Sequence, residues 1–185
     1  MQSEINKAIS QLEKGNIILC PTDTIWGISC DALNFDAVEK IYKVKKRDKS
    51  KSLVVLVSSF EMLGNFIETI PENIEQVLVN QKSPTTIVYS KAKNLPANVY
   101  AKDGSIAIRI VNNGFINKLI SSYKKPIVST SANFSGEKNA ILFSEINKNL
   151  KQKIDFIVNE KFGSDKTKSS RIILYEKGRF KVLRK

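Results

Sequence analysis

Histidine is absent from all 185 residues. A chain without imidazole cannot run Ser-His-Asp or Cys-His chemistry, so any catalysis must rest on carboxylates, lysine, arginine, hydroxyls and backbone groups. Cysteine is scarce: Cys20 and Cys30 stand alone, with no CxxC spacing and no histidine to complete a zinc site, and both are expected reduced and packed inside. No apolar run reaches membrane-spanning length, and the N-terminus lacks the apolar stretch of a signal peptide. The expectation is a cytoplasmic protein with no membrane partner. Neither GxxxxGK[ST] nor GxGxxG occurs, which excludes the P-loop and the common dinucleotide fingerprint. Internal repeats, heptads and low-complexity linkers are also missing.

The composition that remains is that of a globular chain, 42% hydrophobic and 26% charged. Its length predicts one domain over residues 1–185, with room for a sizeable core. Acids are the scarce charge: 30 Lys+Arg against 18 Asp+Glu give a formal net charge of +12. The excess is clustered, with seven basic residues and one acid from Lys40 to Lys51, and nine basic residues and two acids from Lys161 to Lys185. Such clusters either meet an anionic partner, nucleotide phosphates or RNA, or decorate solvated faces with lysine.

The chain is organised around CPTDTIWGISCD, Cys20 to Asp31, which follows the apolar Ile17-Ile18-Leu19. An apolar strand over residues 16–20, stopped by Pro21, places Thr22, Asp23 and Thr24 at a strand exit, where α/β proteins keep their chemistry. These three side chains either bind a small polar ligand or close an Asx-type turn on their own backbone. Before them, Ser3 is the expected cap of a first helix carrying Ile5, Ala8, Ile9 and Leu12, ended by Gly15. After them, Asp36 and Glu39 have capping-box spacing at the head of a helix running to about Val44, which enters the basic segment Lys45 to Lys51.

Apolar runs predict strands at 53–57, 85–89, 105–111, 127–130 and 154–158, and a hairpin of 170–175 with 180–183 around Glu176-Lys177-Gly178-Arg179. Between them fall a helix capped by Ser58 or Ser59, one with Pro71 in its first turn, one over 115–123, and one capped by Ser144. Alternating strands and helices with few hairpins argue for an α/β sheet covered by helices. Arg109 interrupts the run Ile106 to Val111, so it either projects from an exposed face or points into a cleft. Ser129 to Gly136, STSANFSG, follows a strand and either lines a phosphate or nucleotide or forms a turn-rich loop. A basic loop, an arginine in a strand and a Ser/Asn loop form an anion-binding set, which suggests a nucleotide-using enzyme.

Five segments in order carry a resemblance: PTDTIWG (Pro21–Gly27), KKRDKSKSL (Lys45–Leu53), SPTTIVY (Ser83–Tyr89), AIRIV (Ala107–Val111) and STSANFSG (Ser129–Gly136), with SSRII and VLRK near the C-terminus. The chain resembles the YrdC-type threonylcarbamoyl-AMP synthases, also called L-threonylcarbamoyladenylate synthases, in their short single-domain form without the extra C-terminal domain. The resemblance implies a twisted mixed open sheet with helices on its faces and a basic concave cleft. It implies a nucleotidyltransferase that joins L-threonine, bicarbonate or CO2 and ATP, with Mg2+ accompanying the ATP and no dedicated metal cage. The product, threonylcarbamoyl-AMP, would feed N6-threonylcarbamoyladenosine formation in tRNA through downstream threonylcarbamoyl-transferase proteins.

Carried over residue by residue, Lys45, Arg47 and Lys51 would act on the ATP phosphates, with Ser131, Asn133, Asn139 and Arg184 on the nucleotide side. Thr24, Arg109, Ser129 and Ser170 would surround threonine, Arg109 taking its carboxylate. The chain departs from the family's pattern at Trp26 for Tyr, Ser52 for Pro, Ser83 for Gly, Arg171 for Thr or Glu, and Leu56 where some members have histidine. Two rivals stand beside this reading. One is a non-catalytic protein binding tRNA or double-stranded RNA through the basic cleft. The other is a carbamoyl-transfer module like that of hydrogenase-maturation proteins, which the lack of fused acylphosphatase and zinc-finger domains disfavours.

Overall fold

The apolar stripe Ile5, Ala8 and Leu12 puts one face of helix α1 (Gln2–Glu13) into the interior, where each fully buried Ile or Leu contributes about 1.5–3 kcal/mol. The structure is a computed structural model that describes residues 1–72, 74–79, 81, 83–163, 168–176 and 179–184. Ser3 lies inside α1 and caps nothing; Met1 precedes the helix without a side-chain cap, and Gly15 takes a left-handed φ of 69° just past its end. Strand β1 (Ile18–Pro21) then begins two residues later than the sequence suggests and keeps Pro21 as its last member.

The sequence reading assigns no element to Trp26–Asp31, and the structure supplies one. These residues form strand β2 (Trp26–Asp31), which returns antiparallel along β1 with Pro21 opposite Trp26. All six are buried, so the strand lacks the polar face by which alternation is usually recognised. Helix α2 (Phe35–Lys45) is capped by Asn34, whose Oδ1 accepts the Ala37 N–H at 3.0 Å, rather than by an Asp36–Glu39 box. Its C-cap, Lys46, is left-handed at φ 52°, which reverses the chain between Lys45 and Arg47.

Strand β3 (Val54–Val57), helix α3 (Phe60–Gly64) capped by Ser59, helix α4 (Ile74–Val79), strand β4 (Thr85–Tyr89), strand β5 (Ile106–Ile110), helix α5 (Gly114–Tyr123) and strand β6 (Ile127–Ser131) follow close to expectation. Ser144 caps no helix: it sits in a 3-10 turn, and the short α6 (Lys148–Lys151) is capped by Asn147. Strand β7 (Phe156–Ile157) is shorter than predicted, and β8 (Arg171–Glu176) pairs antiparallel with β9 (Arg179–Arg184). The turn residues Lys177 and Gly178, and Lys185 of the VLRK segment, lie outside the described residues.

The nine described strands form one sheet in the order β7-β1-β2-β6-β3-β5-β4-β8-β9. Pairs β1/β7, β3/β5 and β4/β8 are parallel and the other five antiparallel, so the sheet is mixed, with hairpins at β1–β2 and β8–β9. Helices α1, α3 and α5 contact the strands from β1 across to β5. A single apolar cluster runs through these elements, and it encloses both cysteines as free thiols. Burial pushes the Cys20 thiol up to about 12. Among the described residues no helix is long and apolar enough to cross a membrane.

Candidate functional site

Seven neighbouring strands, β2, β6, β3, β5, β4, β8 and β9, contribute to one cavity of about 390 Å³. Small floor residues make room for it. Gly27 pairs with Ser131 across β2–β6, and Val54 pairs with both Ser129 and Ala107. A Cβ on Gly27 would stand 2.5 Å from Ser129 Oγ, so only glycine lets β2 lie this close. Trp26 forms part of the wall, its ring 4.7 Å from that of Phe143 and its edge closing on Gly163.

The tight loop between β1 and β2 presents hydroxyls to the cavity. Thr22 Oγ1 donates to Ile25 O at 2.7 Å and accepts the Thr24 N–H at 3.0 Å. Its single proton is thereby committed, so in the 2.8 Å contact between the two hydroxyls Thr24 Oγ1 is the donor. Thr24 keeps its acceptor lone pairs for a ligand. The turn therefore satisfies its own backbone and also lines the cavity.

Arg109 points into the cleft. It is only 6% exposed, donates from Nη2 to Asp23 Oδ1 at 2.9 Å and from Nη1 to Thr86 Oγ1 at 3.3 Å, and leaves its buried Nε–H with no partner among the described residues. An orphaned guanidinium donor in a buried site is costly to leave unmade and marks a place where an acceptor belongs. Thr86 Oγ1 lies 2.8 Å from Ser170 Oγ, and Arg184 donates from Nε and Nη2 to Ser170 O at 3.0 and 2.7 Å. Burial lowers the Arg184 pKa, and repulsion from the Arg109 charge lowers it further. Two guanidiniums repelling each other across a cavity favour an anion between them.

The opposite wall is built by the basic loop and the Ser/Asn loop. Arg47 donates from Nε to Lys51 O at 3.2 Å and from Nη2 to Ser52 O at 2.9 Å, which folds the loop while leaving Nη1 without a partner among the described residues. Burial draws its pKa down somewhat. Ser129 Oγ accepts from Ser29 Oγ at 3.0 Å, and Asn139 Nδ2 reaches Ser169 Oγ at 3.4 Å.

Of the sequence-predicted residues, Thr24, Arg47, Arg109, Ser129, Ser131, Asn139, Ser170 and Arg184 come together around this one cavity. Lys51, Lys45 and Asn133 do not line it. Lys51 is exposed, whereas Lys45 is buried against the Ser/Asn loop and Asn133 is buried within it. Sequence reasoning missed Thr86, Ser169 and Leu183. Thr86 carries a readable signal: a hydroxyl inside an apolar strand is the same anomaly as Arg109 beside it. Asp23 lines a second cavity of about 380 Å³ with Glu75, Asn112 and Asn113, and its partner Arg109 lines the first, so the Asp23–Arg109 pair stands between the two.

The cavity lining contains three arginines and, among the described residues, no carboxylate. No group of three or more metal-ligating side chains occurs among those residues either. The donor set suits an anionic ligand held by hydroxyls and guanidiniums.

A family profile for Sua5, YciO and YrdC proteins, described as "Telomere recombination", matches residues 10–185. The chain is 30% identical over 167 residues to the threonylcarbamoyl-AMP synthase of Pseudoalteromonas translucida (strain TAC 125), covering 89% of each. It is similar to the crystal structure of P. abyssi Sua5 complexed with L-threonine, with a TM-score of 0.88 and 26% identity over 97% of this chain and 53% of that one. The chain thus spans about half the length of that solved Sua5. E. coli YciO shares the fold at a TM-score of 0.84 and 22% identity, covering all of this chain and 89% of its own. With its ordered motifs and its nine-stranded mixed sheet, the chain belongs to the Sua5/YciO/YrdC family.

Proposed function

We propose that this chain is a threonylcarbamoyl-AMP synthase, a nucleotidyltransferase that makes threonylcarbamoyl-AMP and pyrophosphate from L-threonine, bicarbonate or CO2, and ATP. The observation that carries the reading is the buried, part-satisfied Arg109 facing a second guanidinium across hydroxyls, a receptor for a small carboxylate next to an anion site. It is supported by the similarity to curated synthases along most of both chains. The threonine carboxylate takes the open donors of Arg109, with Thr24, Ser129 and Ser170 around the amine and hydroxyl. Arg47 meets the triphosphate; Ser131, Asn139 and Arg184 hold the rest of the nucleotide.

Chemistry then needs positioning and charge stabilisation more than proton-transfer groups. The threonine amine attacks the carbon of CO2 and loses a proton, giving a carbamate. A carbamate oxygen attacks the α-phosphorus, and the bond to pyrophosphate breaks as that group leaves with the electron pair. Fixed guanidiniums stabilise the charge that develops on the phosphoryl oxygens, and a nearby carboxylate-free wall avoids opposing it. Neither bond change requires an imidazole, so the missing histidines are no obstacle. Mg2+ accompanying ATP would be held mostly by phosphate oxygens and water, as that ion prefers, and would offset phosphate charge there. The product passes to downstream threonylcarbamoyl-transferase proteins that modify tRNA.

Pyrophosphate release measured with each substrate omitted in turn tests the reading. Release is expected only when ATP, L-threonine and bicarbonate are all present. Equal release without threonine overturns it and leaves a simple ATPase.

A further inference from the structure

Two members of the basic segment, two residues apart, face opposite ways. Lys46 adopts a left-handed φ of 52° at the end of α2, so the chain turns between Lys45, which is 1% exposed, and Arg47, which lines the cavity. Burial draws the Lys45 pKa down to about 7, and an amine in that setting keeps its charge only if its donors are used. Here all three have acceptors: Nζ donates to Ser131 O, to Asn133 O at 2.6 Å and to Asn133 Oδ1 at 3.4 Å. An ammonium has no fourth donor and no lone pair, so nothing remains for a phosphate. The Lys45 backbone joins in, its carbonyl accepting the Ser135 N–H at 2.9 Å.

Asn133 is saturated as well. Its Oδ1 also accepts from Ser131 Oγ at 2.5 Å, while Nδ2 donates to Phe134 O at 3.0 Å and Glu137 O at 2.7 Å. The Lys45 ammonium and the Asn133 amide thus form an internal frame that fixes the backbone of residues 131–137. The Ser131 hydroxyl sits on that frame at the cavity wall. One ammonium ties the loop bearing Ser131 to the turn that aims Arg47.

We propose that Lys45 is a positioning residue that shapes the nucleotide side of the cavity by clamping the Ser131–Asn133 backbone, and is not itself a ligand of the ATP phosphates. The proposal rests on the reading of this cavity as a nucleotide site. Withdrawing Nζ to meet a phosphate would take a donor from three oxygens at once and leave Asn133 O with no other among the described residues, whereas Arg47 has an Nη1 without a partner among them.

The test compares Lys45→Met and Lys45→Arg with the parent by amide hydrogen exchange over residues 131–137 and by calorimetric titration with ATP and with L-threonine. In Lys45→Met the loop amides should exchange about tenfold faster or more, and ATP should bind about tenfold more weakly, while threonine affinity stays within about twofold. Lys45→Arg should not restore either property, because a planar fork cannot reach three acceptors arranged for an ammonium. Unchanged loop exchange in Lys45→Met overturns the proposal, as does ATP affinity restored by Lys45→Arg. If neither variant folds, the nitrogen resonance of the Lys45 ammonium in the parent protein decides. A signal that holds its position as ATP saturates supports the clamp, and one that moves with the phosphates overturns it. A parent protein that binds no ATP would remove the nucleotide reading but leave the loop-exchange result standing on its own.

Discussion

Arg109 stands out in the sequence because a charge interrupts five apolar neighbours, but sequence alone allows it to face water or a cleft. Burial at 6% exposure and the 2.9 Å pair with Asp23 choose the cleft, and the choice has an energetic meaning. A guanidinium removed from water must have its donors used in a fixed geometry. Lysine would keep the charge at this position but lose the fork, so Arg109→Lys should weaken threonine binding by about 2–4 kcal/mol. ATP affinity should stay nearly unchanged. Calorimetric titration with each substrate, alongside a thermal melt, checks this. Intact threonine binding, or a lower melting temperature as the sole effect, would make Arg109 a structural partner of Asp23 and move the carboxylate site elsewhere.

Elements show a different balance. The hydrophobic stripes of α1, α2 and α5 and the apolar runs of β3, β4, β5 and β6 are readable because each buries one kind of face at the period of its own geometry. Their caps are less readable. Serine, aspartate and asparagine crowd each helix start, and which of them caps depends on where packing fixes the first turn, as Asn34 and Asn147 show against Asp36 and Ser144. Strand β2 was hidden for a related reason: Gly27, Ser29 and Asp31 face one way and Trp26, Ile28 and Cys30 the other, yet both sets are buried. The close pairing of β2 with β6 gives a prediction at this scale. Gly27→Ala drives a methyl group into Ser129 Oγ at 2.5 Å and against Thr130 O at 3.3 Å, so the pair must spread. A loss of about 1–3 kcal/mol is expected, read as a melting temperature lower by about 2–10 °C. A melt superimposable on the parent's would show that β2 and β6 are not held this tightly.

At the scale of the whole molecule the charge of +12 acts through its field rather than through any one contact. Lysines at positions such as 43, 46, 49 and 51 are mostly exposed or partly so, and no aromatic-interleaved recognition motif accompanies them. RNA should therefore bind weakly and with little sequence preference, and its affinity should fall steeply as salt rises. Filter binding or fluorescence anisotropy at two salt concentrations, with tRNA and an unrelated RNA of equal length, measures this. A tight complex that survives high salt and selects among sequences would favour the RNA-binding protein over the synthase.

The sequence by itself determined the elements that rest on local pattern, the absence of imidazole chemistry, and the order of the five motifs that mark the family. Those properties depend on residue type and spacing along one chain, so no tertiary information is needed to see them. Only the tertiary structure decided which polar residues share a cavity. Strands β2, β6, β3, β5, β4, β8 and β9 are adjacent in the sheet though most are far apart in sequence, and their order brings Thr24, Arg47, Arg109, Ser170 and Arg184 around a single space. It also separated neighbours: Lys45 and Arg47 are two residues apart and of the same charge, but one left-handed turn at Lys46 buries the first among carbonyls and gives the second to the cavity. A backbone reversal of that kind is set by what the flanking elements pack against, which is why basic composition alone could not assign the two their separate places.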